Sequence, residues 1–293
     1  MYGIASDPFT GAGVTALGLA ASRAVESSRT DRLVDDPHAR VLFDAAGADL
    51  PMRTTWPAAG ERVTDTEALH LHGSRYIGMR TRFYDDVLVA AAAAGTRQAV
   101  LLGAGLDTRV RRLGLPPGFA VYELDRAQVL DFKRRVLGDA AARAVGAELS
   151  GDWTGPLRDA GFAGDRPTAW LAEGLLPYLD AGAQARLIEA VDALSAAGST
   201  FAFDHLVGGD VEDLSRRSGI DMDSLLAGTA DTGLAARLAD RGWSVTSTAA
   251  EELGRRYRRD LANPFGTGTA ESPPWLQTQF VEAQLRGCRS ERR

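Results

Sequence analysis

Residues 98–109 read QAVLLGAGLDTR. An apolar run without polar alternation suits a strand covered on both faces, and its closure by Gly103-Ala104-Gly105 predicts a tight turn into a helix. Glycines at such a turn let the backbone pass close to a ligand and present amide N–H groups at a helix N-terminus. The same texture recurs downstream in AVYELD (120–125), AVGAELS (144–150), TAWLAEG (168–174) and TFAFDH (200–205), each closed by glycine or an acid or running into one. Between these runs, RAQVLDFKRRVL (126–137) and AGAQARLIEAVDALSAAG (181–198) carry the 3.6-residue amphipathic period. Strand and helix alternate, which predicts an α/β fold with a doubly wound sheet of buried parallel strands.

Upstream of this unit, VTALGLAASRAVE (14–26) and the stretch from Glu67 to Ala94 have apolar residues at helical spacing and predict helices packed ahead of the sheet. Downstream, the pattern breaks over the acidic, Gly- and Asp-rich segment Gly208–Asp231, then resumes with a helix near 232–240 and a strand, WSVTST, at 243–248. GTGTAESPP (266–274) reads as a surface loop, and LQTQFVEAQL (276–285) as a final strand. The expected organisation is a helical extension or cover over 1–95 and a ligand-binding domain over 96–293, with an insertion at about 206–231. Arg255, Arg256, Arg258 and Arg259 are expected on a solvated helix face.

A chain of 293 residues with 45% hydrophobic and 25% charged residues can bury a full core, which argues against a disordered or fibrous protein. Its 33 Lys and Arg against 39 Asp and Glu give a net charge of −6, the wrong sign for holding phosphate backbones, so nucleic acid is not an expected partner. No window reaches the ~18 apolar residues of a membrane span, and the N-terminus MYGIASDPFTGAG has no basic stretch followed by an apolar one. No membrane partner and a cytoplasmic location are therefore expected. Cys288 is the single cysteine, which excludes an internal disulfide or thiolate cluster.

The acids at the strand ends narrow the ligand. A dinucleotide fingerprint would place a third glycine at 108, where this chain has Thr108 preceded by Asp107, which weakens a nicotinamide dinucleotide reading. Glu123 and Asp125 are two apart and point to one side of the second strand, with Asp125 at its carboxyl tip, suited to accept hydrogen bonds from both hydroxyls of a ribose. Glu148 and Asp152 follow the third strand and Glu173 closes the fourth. Such a row of acids repels a polyphosphate but suits a nucleoside carrying cationic groups, and S-adenosyl-L-methionine has a sulfonium and an ammonium and no phosphate.

The succession TALGLAASRAVES (15–27), RTRFYDD (80–86), LLGAGLDTR (101–109), YELD (122–125), LSGDW (149–153) and LAEGLLPYL (171–179) resembles the leucine carboxyl methyltransferase-like family of S-adenosylmethionine-dependent O-methyltransferases, in particular its actinobacterial branch. The resemblance implies the class I methyltransferase fold, Rossmann-like, with a seven-stranded sheet, a helical N-terminal extension and a lid insertion. It implies that Arg80 meets the methionine carboxylate of the cofactor, that Gly103 and Gly105 form the cofactor loop, and that Asp125 holds the ribose. It also implies that Glu148 and Leu149 lie beside the adenine and Glu173 near the cofactor's amino end. The family usually has Asp-Leu where this chain has Glu148-Leu149, which leaves open whether Asp152 takes part of that task.

No metal site is expected. His70 and His72, two apart on a predicted helix, point to different faces, lack a ligand pattern around them and are expected at the surface. Trp153, Trp170 and Trp243 are expected in the core or a pocket lining. Tyr178 and His205 follow strand tips on the cofactor edge. Tyr178, with Arg75 and Arg82, is a candidate for a substrate clamp, and His205 is the candidate for a base. The expected reaction is methyl transfer from S-adenosyl-L-methionine to a carboxylate or hydroxyl oxygen of a small molecule, with relatives of this branch pointing toward secondary metabolites. An NAD-dependent oxidoreductase on a similar sheet and a non-catalytic nucleoside-binding protein are the alternatives.

Overall fold

The computed structural model describes residues 12–48, 50, 52–139, 142–207, 226, 233–265 and 274–287. The strand order is β3-β2-β1-β4-β5-β7-β6. In chain order the strands are β1 (Gln98–Leu102), β2 (Ala120–Asp125), β3 (Ala142–Gly146), β4 (Ala169–Ala172), β5 (Thr200–Leu206), β6 (Trp243–Ala249) and β7 (Thr278–Leu285). Pairing is parallel from β3 through β5, and β7 runs antiparallel to both neighbours, with Asp204 opposite Phe280 and His205 opposite Gln279. The seven-stranded α/β sheet expected from the chain is present, with an antiparallel final strand added to the parallel set.

Three helices precede the sheet: α1 (Ala12–Ser27), α2 (Pro37–Ala46) and α3 (Asp65–Ala93). Local chemistry starts the second and third. Asp36 accepts from the N–H groups of His38 and Ala39 with proline at the first turn of α2, and Thr64 and Glu67 form a reciprocal capping box at the head of α3. Helix α4 is a single turn, Arg109–Arg112, and is followed by α5 (Ala127–Leu137), α6 (Thr154–Asp159), α7 (Ala181–Ala193), α8 (Leu234–Asp240) and α9 (Ala250–Arg256). Two short 3₁₀ turns, Leu176–Tyr178 and Pro274–Gln277, follow β4 and lead into β7. No helix among the described residues is long and apolar enough to cross a membrane.

The sheet separates two cores. On one face Trp153, Trp170 and Trp243 pack with Phe201, Phe203 and the apolar sides of α6, α7 and α8, as expected for these tryptophans. On the other, α3 and α9 lay Phe83, Tyr84, Leu88 and Leu253 against Leu101, Leu171 and Phe280. A third cluster joins Leu17 and Ala20 of α1 and Leu42 of α2 to Leu106 and to Val129 and Phe132 of α5.

Three expectations are corrected. The 144–150 run is not a buried strand: β3 is an edge strand at 142–146, in which Val145 is buried while Arg143 and Ala144 are exposed, and Glu148 lies in the loop beyond it. His72 is 2% exposed, with Nε2 bonded to the Leu261 carbonyl at 2.7 Å, and His70 is half-buried against the Arg53 carbonyl, because α3 is covered around most of its circumference. Of the four arginines near α9, Arg255, Arg256 and Arg258 are exposed, but Arg259 is buried and donates to Glu26 of α1 at 2.6 Å. The insertion at 208–225 and 227–232, the loop at 266–273 and Cys288 lie outside the described residues.

Candidate functional site

The carboxyl ends of β1, β2 and β4 and the loop after β3 surround a cavity of about 380 Å³, roofed by α1 through Thr15, Ala16 and Leu19. Its floor is the turn after β1. Gly103 and Gly105 have φ of +67° and +48°, a left-handed backbone that favours glycine, and a Cβ on Gly103 would lie 3.1 Å from Leu175 Cδ1. Asp125 closes this turn: Oδ2 accepts from the Gly105 N–H at 2.6 Å and Oδ1 from the Arg126 N–H at 2.7 Å. A carboxylate oxygen has two lone pairs, so each retains capacity for a ligand hydroxyl. Glu123 does not share the site. It is buried on β2 and paired with Lys133 of α5 at 2.8 Å, so of the two acids only Asp125 lines the cavity.

Glu148 and Leu149 line the cavity from the loop after β3, with Leu149 offering an apolar wall. Asp152 is not among the described lining residues. Its Oδ1 accepts from Thr154 and Gly155 at the start of α6, so its local role is to cap that helix.

Glu173, just beyond β4, is the most constrained member. Arg80 of α3 donates Nε to its Oε1 at 3.1 Å, and Arg109 of α4 donates Nη2 to its Oε2 at 2.5 Å. Burial pushes the Glu173 carboxyl up, but Arg109, then Arg80 and Arg23, more than reverse this and bring it to about 2. A second, smaller cavity of about 40 Å³ shares Glu173 and Leu19 with the first, and Arg23, Arg80, Arg109 and Arg112 line it. Thus Arg80 lies behind Glu173, in the smaller cavity, and is not among the described residues lining the larger one.

The substrate candidates separate. Tyr178 lines the large cavity, and its hydroxyl donates to Thr15 Oγ1 at 3.1 Å across the roof. Burial pushes the Tyr178 phenol up, so it stays a protonated donor. His205 stands half-buried at the end of β5 with its ring 6.0 Å from that of Phe203, and it is not among the described lining residues. Arg82 is exposed and paired with Asp86 at 2.7 Å, and Arg75 donates to the Ala262 carbonyl at 3.1 Å; the structure brings neither to the cavity.

Several residues of the site escape a motif reading. Asp204 is buried on β5, opposite in facing to Phe203, and accepts from the Tyr84 hydroxyl at 2.5 Å and the Gly174 N–H at 2.7 Å, which fixes the turn carrying Glu173. Arg23 of α1 donates to Asp36 Oδ2 at 2.9 Å and to the Leu106 carbonyl at 2.7 Å, tying the roof to the glycine turn. The alternation of TFAFDH could have separated Asp204 from the phenylalanines; no local pattern marks Arg23.

The comparisons agree with this architecture. Residues 16–192 match the leucine carboxyl methyltransferase family. A protein of Saccharopolyspora erythraea, provisionally named an S-adenosyl-L-methionine-dependent methyltransferase, is 43% identical over 272 residues, covering 88% of this chain and 92% of its own. One of the same name from Mycobacteroides abscessus is 40% identical over 301 residues, covering 94% of this chain and 95% of its own. The crystal structure of a provisionally named methyltransferase from Thermobifida fusca superposes with a TM-score of 0.53 at 18% identity, covering 91% of this chain and 94% of that one, a likeness of fold. With the family matching residues 16–192 and relatives 40–43% identical over most of its length, the chain belongs to the leucine carboxyl methyltransferase family.

Proposed function

We propose that the chain transfers a methyl group from S-adenosyl-L-methionine to an oxygen of a small molecule, with a carboxylate as the acceptor. The observation that carries this reading is the single cavity into which Gly103, Gly105, Asp125, Leu149 and Glu173 converge beneath α1. Its donor set fits the cofactor: a carboxylate for ribose hydroxyls, an apolar wall for adenine, an ionised acid for an ammonium, and an arginine behind that acid for a carboxylate. When bound, S-adenosyl-L-methionine supplies a methyl group already activated by the positive sulfur.

The work left to this chain is then alignment and exclusion of water. Asp125 orients the nucleoside end, Glu173 and Arg80 the amino-acid end, and α1 covers the cavity. A carboxylate acceptor with a pKa near ~4 is ionised at pH 7 and asks for no base. The set of described lining residues, which includes the Tyr178 donor and not the His205 imidazole, supports that acceptor over a phenol. Calorimetric titration with S-adenosylhomocysteine, NAD and ATP tests the cofactor, with binding of the first alone expected. A panel pairing carboxylic acids with phenols tests the acceptor: methyl esters are expected, and methyl ethers formed in their place would reassign it. The actinobacterial setting of the two relatives is consistent with a secondary metabolite as the acceptor.

A further inference from the structure

Arg109 follows β1 and the glycine turn directly, yet it is not among the described residues lining the large cavity. It is 2% exposed and every nitrogen of its side chain is engaged. Nε donates to Asp85 Oδ1 at 2.8 Å, Nη1 to Asp107, and Nη2 to Glu173 Oε2 at 2.5 Å and to the Thr81 carbonyl at 3.4 Å. Its own N–H donates to Asp107 Oδ1 at 2.7 Å, and the Asp107 carbonyl accepts from Lys133 at 3.0 Å. One guanidinium therefore spans α3, the turn after β1 and the turn after β4.

We infer that Arg109 is a positioning residue for methyl transfer: it locks the glycine turn to the turn that carries Glu173, so that both face the cavity in one fixed geometry, an inference that rests on the cofactor site proposed above. A planar fork suits this task because it meets carboxylates on two sides at once, which an ammonium cannot reproduce. Glu173 is faced by Arg80 and Tyr84 of α3, Arg109 of α4, Arg23 of α1 and Asp204 of β5. Arg109 is the largest of the influences that hold its carboxyl down. Without that cation only Arg80 and Arg23 oppose burial and Asp204, so Glu173 moves toward the range in which it takes a proton, and a neutral Glu173 loses its attraction for an ammonium.

The test is the affinity for S-adenosylhomocysteine, measured by calorimetry between pH 5 and pH 8 on wild type, Arg109→Gln, Arg109→Lys and Glu173→Gln, with circular dichroism to establish folding. Wild type should bind with a Kd that is flat across this range. Arg109→Gln should bind more weakly at pH 8 and lose a further factor of up to about ten on going to pH 5, the factor by which a carboxyl that titrates one unit above the solution pH is depleted in its charged form. Arg109→Lys should recover part of the affinity and show a shallower acid limb, and Glu173→Gln should bind weakly with no limb. Absence of binding by wild type would sink the cofactor reading itself. Binding by wild type, together with a folded Arg109→Gln that tracks it at every pH, would overturn the role of Arg109. If the glutamine variant does not fold, Arg109→Lys decides alone, and equality with wild type at both ends of the range overturns the inference.

Discussion

The two walls of the cavity are built by different physics. The sheet wall is made of strand tips whose main-chain turns carry Gly103, Gly105, Asp125 and Glu173, and it rests on an apolar core in which Trp170 and Phe203 are fully buried. The helical wall adds buried charge to its apolar contacts: Arg23 with Asp36, Arg259 with Glu26, and Arg109 with Asp85 join α1, α2, α3 and the segments after α9 and β1 through ion pairs of 2.6–2.9 Å. A buried ion pair is costly to form and costlier to break on one side only, whereas a buried leucine is lost in proportion to the space it leaves. The same cavity therefore has one wall that tolerates paired replacement and one that does not.

The largest expected effect comes from breaking the charged wall on one side. Glu26 is fully buried and receives Arg259 Nη2 at 2.6 Å, with Arg29 at 3.5 Å. Arg259→Met should cost about 3–5 kcal/mol in urea unfolding, and the second change Glu26→Leu should return most of it. Leu187→Ala on the apolar side should cost ~2–5 kcal/mol with no second change that restores it. If the double variant is no more stable than Arg259→Met, the pair is not what holds this wall. The pH dependence sharpens the contrast. Burial holds the Glu26 carboxyl above its usual 4.5, so ionising it in the folded state is unfavourable, and removing Arg259 raises it further. The deficit of Arg259→Met should shrink as pH falls, because Glu26 then takes up a proton. Glu173 has the opposite sign: its contribution to stability is complete above 4.5 and is lost as pH falls toward about 2.

Next in size is the glycine turn. At Gly105, φ of +48° disfavours a branched residue by about 1–2 kcal/mol, and a Cβ there would lie 3.6 Å from Ala16 of the roof. Gly105→Val should therefore lower stability by that amount and abolish S-adenosylhomocysteine binding, since its methyl groups also enter the cavity. Asp125→Ala should fold and bind about 10- to 100-fold more weakly, the loss of hydrogen bonds to a charged acceptor of about 1.5–3 kcal/mol. Unchanged affinity in either variant would move the cofactor away from this turn.

The same division governs what the sequence discloses. The sheet wall was legible because its determinants are local: an apolar run, a glycine pair and a terminal acid lie within one segment, and β1, β2, β4 and the turn at Gly103–Gly105 fall where their residues predict. Helix α2 was not among the expectations, although its determinants are equally local: Asp36-Pro37 and Gly47 in a left-handed cap mark its two ends. The helices α1 and α3 of the other wall also fall where their periodicity predicts, but the contacts that hold them were not legible, because Glu26 and Arg259 find each other across 233 positions and Arg23 meets Leu106 across 83. Arginines after an amphipathic helix read as a solvated face until a distant carboxylate is placed beside them, and a histidine pair two apart reads as surface until both sides of α3 are covered. Glu123 misled for a related reason: alternation fixed its facing, but only the position of Lys133 decides that it is spent on an ion pair.

The smallest effect is expected where the two walls touch. Tyr178, after β4, donates to Thr15 of α1 at 3.1 Å, a direct hydrogen bond between sheet edge and roof. A neutral hydrogen bond contributes ~0.5–1.5 kcal/mol, so Tyr178→Phe should leave global stability nearly unchanged and speed amide exchange in the first turns of α1 by about fivefold, the factor for ~1 kcal/mol. Thr15→Val removes the same bond from the other side and should do the same, and the double variant should add nothing further, because neighbours that share one interaction are not additive. S-adenosylhomocysteine should slow exchange in α1 in all of these proteins, since the roof also lines the cavity through Ala16 and Leu19. If Tyr178→Phe loosens α1 while Thr15→Val does not, the phenol holds the roof by packing and the hydrogen bond is incidental. If neither does, the charged contacts at Arg23 and Glu26 and the packing of Leu17 and Ala20 against Leu106 hold α1 without help from this hydrogen bond.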